Sequence, residues 1–153
     1  MNEKDTSELE RVLGKTHISD VKDYLRENAD SILSDDRPFS TYMKTIIKRN
    51  KLKLQEVFLW ADIPERYGYK LLSEEKRTRQ RDVILRLCYA AEFTLEETQH
   101  ALRIYEMPQL YAKIRRDALL MVCFNERPGS VLDVNAYLKQ YQMEPLRTSG
   151  IQE

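Results

Sequence analysis

Few residues in this 153-residue chain have the type and spacing to do chemistry, and their arrangement argues against catalysis. His17 and His100 are the only histidines. Glu97 and His100 stand three apart, the spacing of half a di-iron carboxylate site, but the matching half is missing. Polar positions on a solvent-exposed helix face account for that pair better. The chain has no glycine-rich phosphate loop, no H-E-x-x-H and no C-x-x-C. Asp35 and Asp36 fall in a turn-rich stretch without a partnering motif. Cys88 and Cys123 lie inside apolar helical segments and read as buried free thiols, small hydrophobes that need no disulfide. The expectation is a protein that is not an enzyme, with no catalytic residue, no metal ligand and no cofactor.

What remains is charge, and it is unevenly spread. The whole chain is neutral, with 25 basic and 25 acidic side chains. Residues 44–86 nevertheless carry twelve Lys and Arg against six Asp and Glu, a balance of +6, while 1–38 stand at −4 and 87–153 at −2. A basic patch on a compact helical unit suggests a nucleic-acid face, because phosphate neutralisation and counterion release supply most non-specific affinity. Four Gly and five Pro, with abundant Leu, Glu, Lys, Arg and Ala, favour helix over sheet. No apolar run approaches the roughly 20 residues that span a bilayer, so no membrane partner is expected. The polar, acidic start MNEKDTSELERV does not resemble a secretory signal, which makes the cytoplasm the expected location.

The elements that must position the patch follow from periodicity. Ser7 is placed to cap a short helix that ends before Gly14, and Ile18, Val21, Tyr24 and Leu25 mark a second helix. Turn chemistry at 34–38 makes an internal boundary. From Phe39 the pattern strengthens: Phe39, Tyr42, Met43, Ile46 and Ile47 form one face, with Lys44, Lys48, Arg49 and Lys51 opposite. Leu54, Val57, Phe58 and Ala61 follow, then a break at Asp62, Ile63 and Pro64, then a short helix with Tyr67, Lys70 and Leu71. Pro64 suits a helix start and keeps the residue before it non-helical, as a sharp turn requires. A helix is expected over 81–91, and Thr94 with Glu97 forms a capping box for another starting at Leu95. Segment 117–124 reads as a core helix, and Asp133 as the cap of a last helix bearing Val134, Tyr137, Leu138 and Tyr141. Tyr24, Tyr42, Tyr89, Tyr105 and Tyr137 lie on apolar stripes and read as core or interface. RDVILRLC at 81–88 echoes RDALLMVC at 116–123, either a duplicated hairpin or two helices with similar tasks.

Segment 52–71 resembles the helix-turn-helix of the lambda-repressor-like (Cro and XRE-type) family. Leu52 to Phe58, Ala61 to Pro64 and Tyr67 to Leu71 run along its pattern, with Leu52, Glu56, Val57, Ile63, Tyr67 and Leu71 at matching positions, and the likeness covers about 39–105. The pieces Tyr67-Gly68-Tyr69, LEETQ from Leu95 and LYAKIRRDA from Leu110 are similar to helix-turn-helix proteins of Gram-positive bacteria. The resemblance implies an all-α fold: a lambda-repressor-like five-helix DNA-binding core with extra N- and C-terminal helices. The implied division is an N-terminal helical extension over 1–36, the helix-turn-helix domain over 37–106, a C-terminal extension packed on it over 107–146, and a frayed tail over 147–153. Four departures stand out: Leu54 where the family often has Gln, Asp62 for the turn Gly, Gly68 for an apolar core residue, and the acidic pair Glu74 and Glu75.

The resemblance implies a transcriptional regulator that binds double-stranded DNA sequence-specifically, with the helix over 64–72 lying in the major groove. Glu65, Arg66, Tyr69 and Lys70 are then the candidate base contacts. Lys53, Gln55, Lys76, Arg77 and Arg79 are the candidate phosphate contacts, which position without specifying. Such regulators commonly bind as dimers, and the C-terminal helices over 117–124 and 133–142 are read as either extra core or a homodimer surface. The alternative is a protein–protein interaction adaptor that keeps the fold without binding DNA, supported by the neutral total charge and the missing Gln and Gly.

Overall fold

The computed structural model describes residues 6–28 and 37–148 and divides the chain into two compact units, Met1–Pro38 and Phe39–Glu153. Among the described residues there are nine α-helices and no strand, so the fold is all-α.

In the first unit, α1 (Thr6–Leu13) and α2 (Val21–Glu27) are joined through a 3-10 turn at Ile18–Asp20. Ser7, expected as the cap of α1, lies inside the helix, one residue past its start. Among its described residues Tyr24 and Asn28 are buried, and Asn28 donates its side-chain amide to the Tyr24 carbonyl at 2.9 Å. Ile18 and Leu25, read as part of an apolar stripe, are 90% and 50% exposed. The expected boundary at 34–38 falls mostly outside the described residues; its last residue, Pro38, opens α3.

The second unit is built on seven helices: α3 (Pro38–Arg49), α4 (Leu54–Ala61), α5 (Glu65–Leu72), α6 (Arg81–Ala90), α7 (Leu95–Ile104), α8 (Arg115–Glu126) and α9 (Val131–Gln140). Helix α6 is the hub and packs on α4, α7 and α9. Every residue of α6 from Asp82 onward is buried, as expected of a helix apolar on nearly all sides. Phe39, Met43, Phe58, Leu71, Leu72, Ile84, Leu87, Phe93, Leu102 and Tyr105 fill one continuous core, each contributing about 1.5–3 kcal/mol by leaving water. The Phe39 and Tyr105 rings meet edge to face at 4.5 Å.

The echoed Arg-Asp dipeptides clasp each other crosswise. Arg81 of α6 grips the buried Asp117 of α8 through two bonds at 2.5 and 3.1 Å. Arg116 of α8 grips Asp82 of α6 through two bonds at 2.9 and 3.0 Å. Bidentate pairs of this kind fix orientation as well as contributing energy.

Each of the seven helices is followed by a non-glycine residue in the left-handed conformation: Lys51, Asp62, Glu74, Glu92, Glu106, Arg127 and Gln142. At five of these ends the next residue is apolar and its amide reaches back five residues, Leu52 to Ile47, Ile63 to Phe58, Phe93 to Cys88, Met107 to Leu102 and Met143 to Leu138. This is the Schellman closure, made here without its usual glycine. The left-handed residue costs about 1 kcal/mol in backbone strain, and the apolar residue beyond it, buried at Ile63 and Phe93 and partly buried at Leu52, Met107 and Met143, offsets that cost.

The Thr94 and Glu97 capping box forms as expected, each side chain meeting the other's backbone amide at 3.0 Å. Asp133 does not cap α9. Ser130 holds that position, and Asp133 reaches back to the Ser130 amide at 2.8 Å. Gly129 makes room for it, since a Cβ there would lie 2.1 Å from the Asp133 carboxylate.

Candidate nucleic-acid interface

The turn between α4 and α5 begins at Asp62, whose left-handed φ of 57° and ψ of 51° reverse the chain after Ala61. Asp tolerates this region better than most residues. Ile63 then plugs into the core at 4% exposure. Pro64 is the N-cap of α5 in an extended conformation, and its carbonyl accepts the Gly68 amide at 2.9 Å. The expected three-residue break at 62–64 is thus present, with Pro64 just before the helix.

Gly68 has a packing reason. A Cβ built on it would lie 2.5, 2.6 and 2.8 Å from three atoms of the Phe58 ring. The apolar bulk missing at 68 is supplied from α4 by Phe58, itself 1% exposed. Tyr69 lays its ring across the edge of Phe58, centroids 5.0 Å apart, and remains 42% exposed.

The four expected base-contact residues share α5. Glu65, Arg66 and Tyr69 are exposed and Lys70 is half-buried. Arg66 makes no ion pair with any described residue. The Glu65 carboxylate accepts the Gln55 amide at 2.9 Å, tying the first turn of α5 to the first turn of α4. Gln55, expected at a phosphate, therefore has one of its two side-chain N–H donors committed within the protein. Glu74, a source of unwanted negative charge in the sequence, accepts the Ser40 amide at 3.1 Å in the first turn of α3. A helix N-terminus favours an anion there.

No family model, curated protein or solved structure matches the chain.

The expected phosphate contacts are in differing states. Lys53 and Arg79 are exposed and unpaired among the described residues. Lys76 places its ammonium 5.6 Å from the centre of the Tyr67 ring. Arg77 stacks on Tyr105 at 4.2 Å and donates to the Tyr105 carbonyl at 2.8 Å, so its guanidinium is partly spent anchoring the loop before α6. Other arginines of the basic stretch are also engaged internally. Arg49 pairs with Glu97 at 2.5 Å, Arg81 pairs with Asp117, and Arg86 is buried. Among the described residues of the basic stretch, the exposed basic side chains with no ion pair or ring contact are consequently mostly lysine: Lys44, Lys48, Lys51 and Lys53 with Arg66 and Arg79.

Burial opposes ionisation of Glu97, but the Arg49 hydrogen bond and the Thr94 amide outweigh it, leaving the carboxyl below its ordinary value. Burial likewise opposes ionisation of Asp82, and bonds from Arg116 and the Arg147 amide overcome it. Glu97 and His100 are both partly buried, correcting the expectation of two solvated residues. His100 packs its ring 4.7 Å from Tyr42. No group of three His, Cys, Asp or Glu side chains able to hold a metal occurs among the described residues. Both cysteines are buried and free, and burial pushes their thiols up. No helix among the described residues is long and apolar enough to cross a membrane.

Sequence reasoning passed over Leu59 and Trp60, which are 76% and 45% exposed on α4. Their signal was available, since both fall off the Leu54, Val57, Phe58 and Ala61 stripe.

Proposed function

We propose that the chain is a sequence-specific double-stranded DNA-binding regulator of transcription and performs no chemistry. In this reading α3 to α7 are the five helices of a lambda-repressor-like core, α4 and α5 are its helix-turn-helix, and α5 enters the major groove. The observation that carries the reading is Arg66: exposed, without an ion pair among the described residues, on α5, with its acidic neighbour Glu65 held by Gln55. A guanidinium so placed can take two acceptors of guanine at once. Tyr69 and Lys70 extend the readable surface, while Lys53 and Arg79 supply phosphate contacts. The exposed Leu132, Tyr137 and Tyr141 on and beside α9 support a homodimer through the C-terminal helices, whose two α5 helices would meet grooves roughly 34–36 Å apart. The cytoplasm is the proposed location.

The test is selection of bound sequences from a random duplex pool at physiological salt, followed by titration at several salt concentrations. An enriched, two-fold related motif and a log–log slope near −0.9 per phosphate contact are expected. A flat salt response with no enriched motif would refute the proposal.

A second reading, a protein-interaction adaptor on the same fold, draws on Leu59 and Trp60, large apolar side chains left in water beside α5. In that case Trp60→Ala would abolish partner capture, whereas Arg66→Ala would leave it intact.

A further inference from the structure

Arg86 sits in the middle of α6 at 3% exposure. Its hydrogen bonds all run to main-chain carbonyls. Nη1 donates to Ala61 at 3.0 Å, Nη2 to Leu146 at 2.7 Å and Nε to Arg147 at 2.5 Å. Ala61 is the last residue of α4, immediately before the left-handed Asp62. Leu146 and Arg147 belong to the segment that returns over α6 after α9. One buried cation therefore bridges the α4–α5 turn and a stretch of chain more than 80 residues later.

The returning segment 143–148 has no helix of its own; past Met143, whose amide closes α9 on Leu138, its hydrogen bonds run to residues distant in sequence. Arg116 donates to the carbonyls of Glu144 and Pro145 at 3.0 and 3.1 Å. Asn135 accepts the Leu146 amide at 2.8 Å, and Asp82 accepts the Arg147 amide at 3.0 Å. The Leu146 side chain closes the arrangement at 3% exposure. Burial disfavours the charged guanidinium of Arg86, with Asp62 and Asp82 nearby opposing that effect. If the segment lifts away, two of its three acceptors go with it. A buried charge stripped of acceptors is far costlier than one that keeps them, so the guanidinium must move, and the Ala61 carbonyl loses its donor.

We propose that residues 143–148 are a latch that holds the α4–α5 turn through Arg86, so that the C-terminal segment sets how rigidly α5 is presented. Arg86 is a positioning residue in this scheme. Anything that displaces the segment, such as a bound partner or a proteolytic cut, loosens the turn. The latch rests on the packing alone; its effect on DNA affinity rests on the proposed function.

The test is amide hydrogen exchange on the full chain, reading the Asp62 and Ile63 amides, bonded to Leu59 and Phe58, against the Leu102 amide in α7. Leu146→Ala is expected to speed exchange at Asp62 and Ile63 roughly ten- to a hundredfold, more than at Leu102. In an Arg86→Met background the same substitution should leave the ratio between turn and α7 unchanged, because the transmitting group is gone. Should Arg86→Met not fold, Arg86→Lys serves instead, since a compact ammonium cannot bridge three separated carbonyls; it should loosen the turn by itself. The latch is overturned if the turn and α7 accelerate equally in Leu146→Ala, if the effect persists unaltered in Arg86→Met, or if Arg86→Lys leaves the turn protected. Loosening of the turn in a protein that never binds duplex DNA would uphold the latch and count against the regulator.

Discussion

Replacing Gly68 by alanine sets two physical effects against each other. In an ordinary helix interior the substitution stabilises by about 1 kcal/mol, because alanine loses less backbone freedom than glycine on folding. Here the new methyl would fall 2.5–2.8 Å from Cδ1, Cε1 and Cγ of Phe58. That ring is 1% exposed and bounded on another side by Tyr69, so it cannot swing away freely. Overpacking of this kind typically costs about 1–3 kcal/mol. The steric effect wins, for a net loss of about 1 kcal/mol and a fall in Tm of about 3–6 °C. Thermal and urea unfolding followed by circular dichroism would measure it. The decisive control is Phe58→Leu, which opens the space: in that background Gly68→Ala should reverse sign and raise Tm relative to Phe58→Leu alone. A rise in Tm for Gly68→Ala in the otherwise native chain would show that Phe58 does not occupy the place argued for it.

Acid should weaken the fold through Asp82 and Glu97. Both carboxyls are held below their ordinary values, so they stabilise the folded state above those values and lose that contribution as pH falls toward and below about 4. Stability measured between pH 6 and 3 should decline, and Asp82→Asn should flatten the decline at the expense of stability near neutrality; an unchanged profile would count against the pairing. At the exposed left-handed positions, Glu106→Gly and Gln142→Gly should each raise stability by about 0.5–1 kcal/mol, as urea midpoints would report, and a loss at both would contradict the strain argument. On a selected duplex, Arg66→Ala should cost about 1–3 kcal/mol and blur preference at one base pair, whereas Lys53→Ala should weaken all sequences alike and lower the salt slope by roughly 0.9. Equal effects of the two substitutions across all sequences would remove Arg66 from base reading.

Much of the helical layout was legible because its signals are local. The Thr94 and Glu97 box needs only three residues, and the stripes on α3 and α4 repeat within a few turns. Local rules also misled where two suitable residues competed. Asp133 is a good cap by type, but Ser130 three residues earlier takes that place and turns Asp133 into its partner. Ile18 and Leu25 have helical spacing yet remain exposed, because spacing shows that two residues share a face and not that anything covers it. The candidate site was legible as a charge count but not as a surface. Arg49, Arg77, Arg81 and Arg86 all add to the +6 of the basic stretch, yet each is engaged by a residue or carbonyl distant in sequence. Only one of these engagements had a precursor, the repeated Arg-Asp dipeptide. The cause of Gly68 was hidden likewise, because it lies in the ring of a residue on the neighbouring helix.

The left-handed helix ends have a consequence for how far this protein stands from its own ceiling. Five closures of α3, α4, α6, α7 and α9 carry charged or amide side chains where glycine would sit without strain. The deficit is therefore stored at the rim and divided into small, separate parcels, each removable by a single surface exchange; only at Asp62 does the exchange reach a buried group, because that carboxylate offsets the burial of Arg86. Such a molecule has room to be hardened stepwise by several kcal/mol without redrawing its interior. The present residues keep the rim hydrated and the fold nearer its melting threshold than its architecture demands.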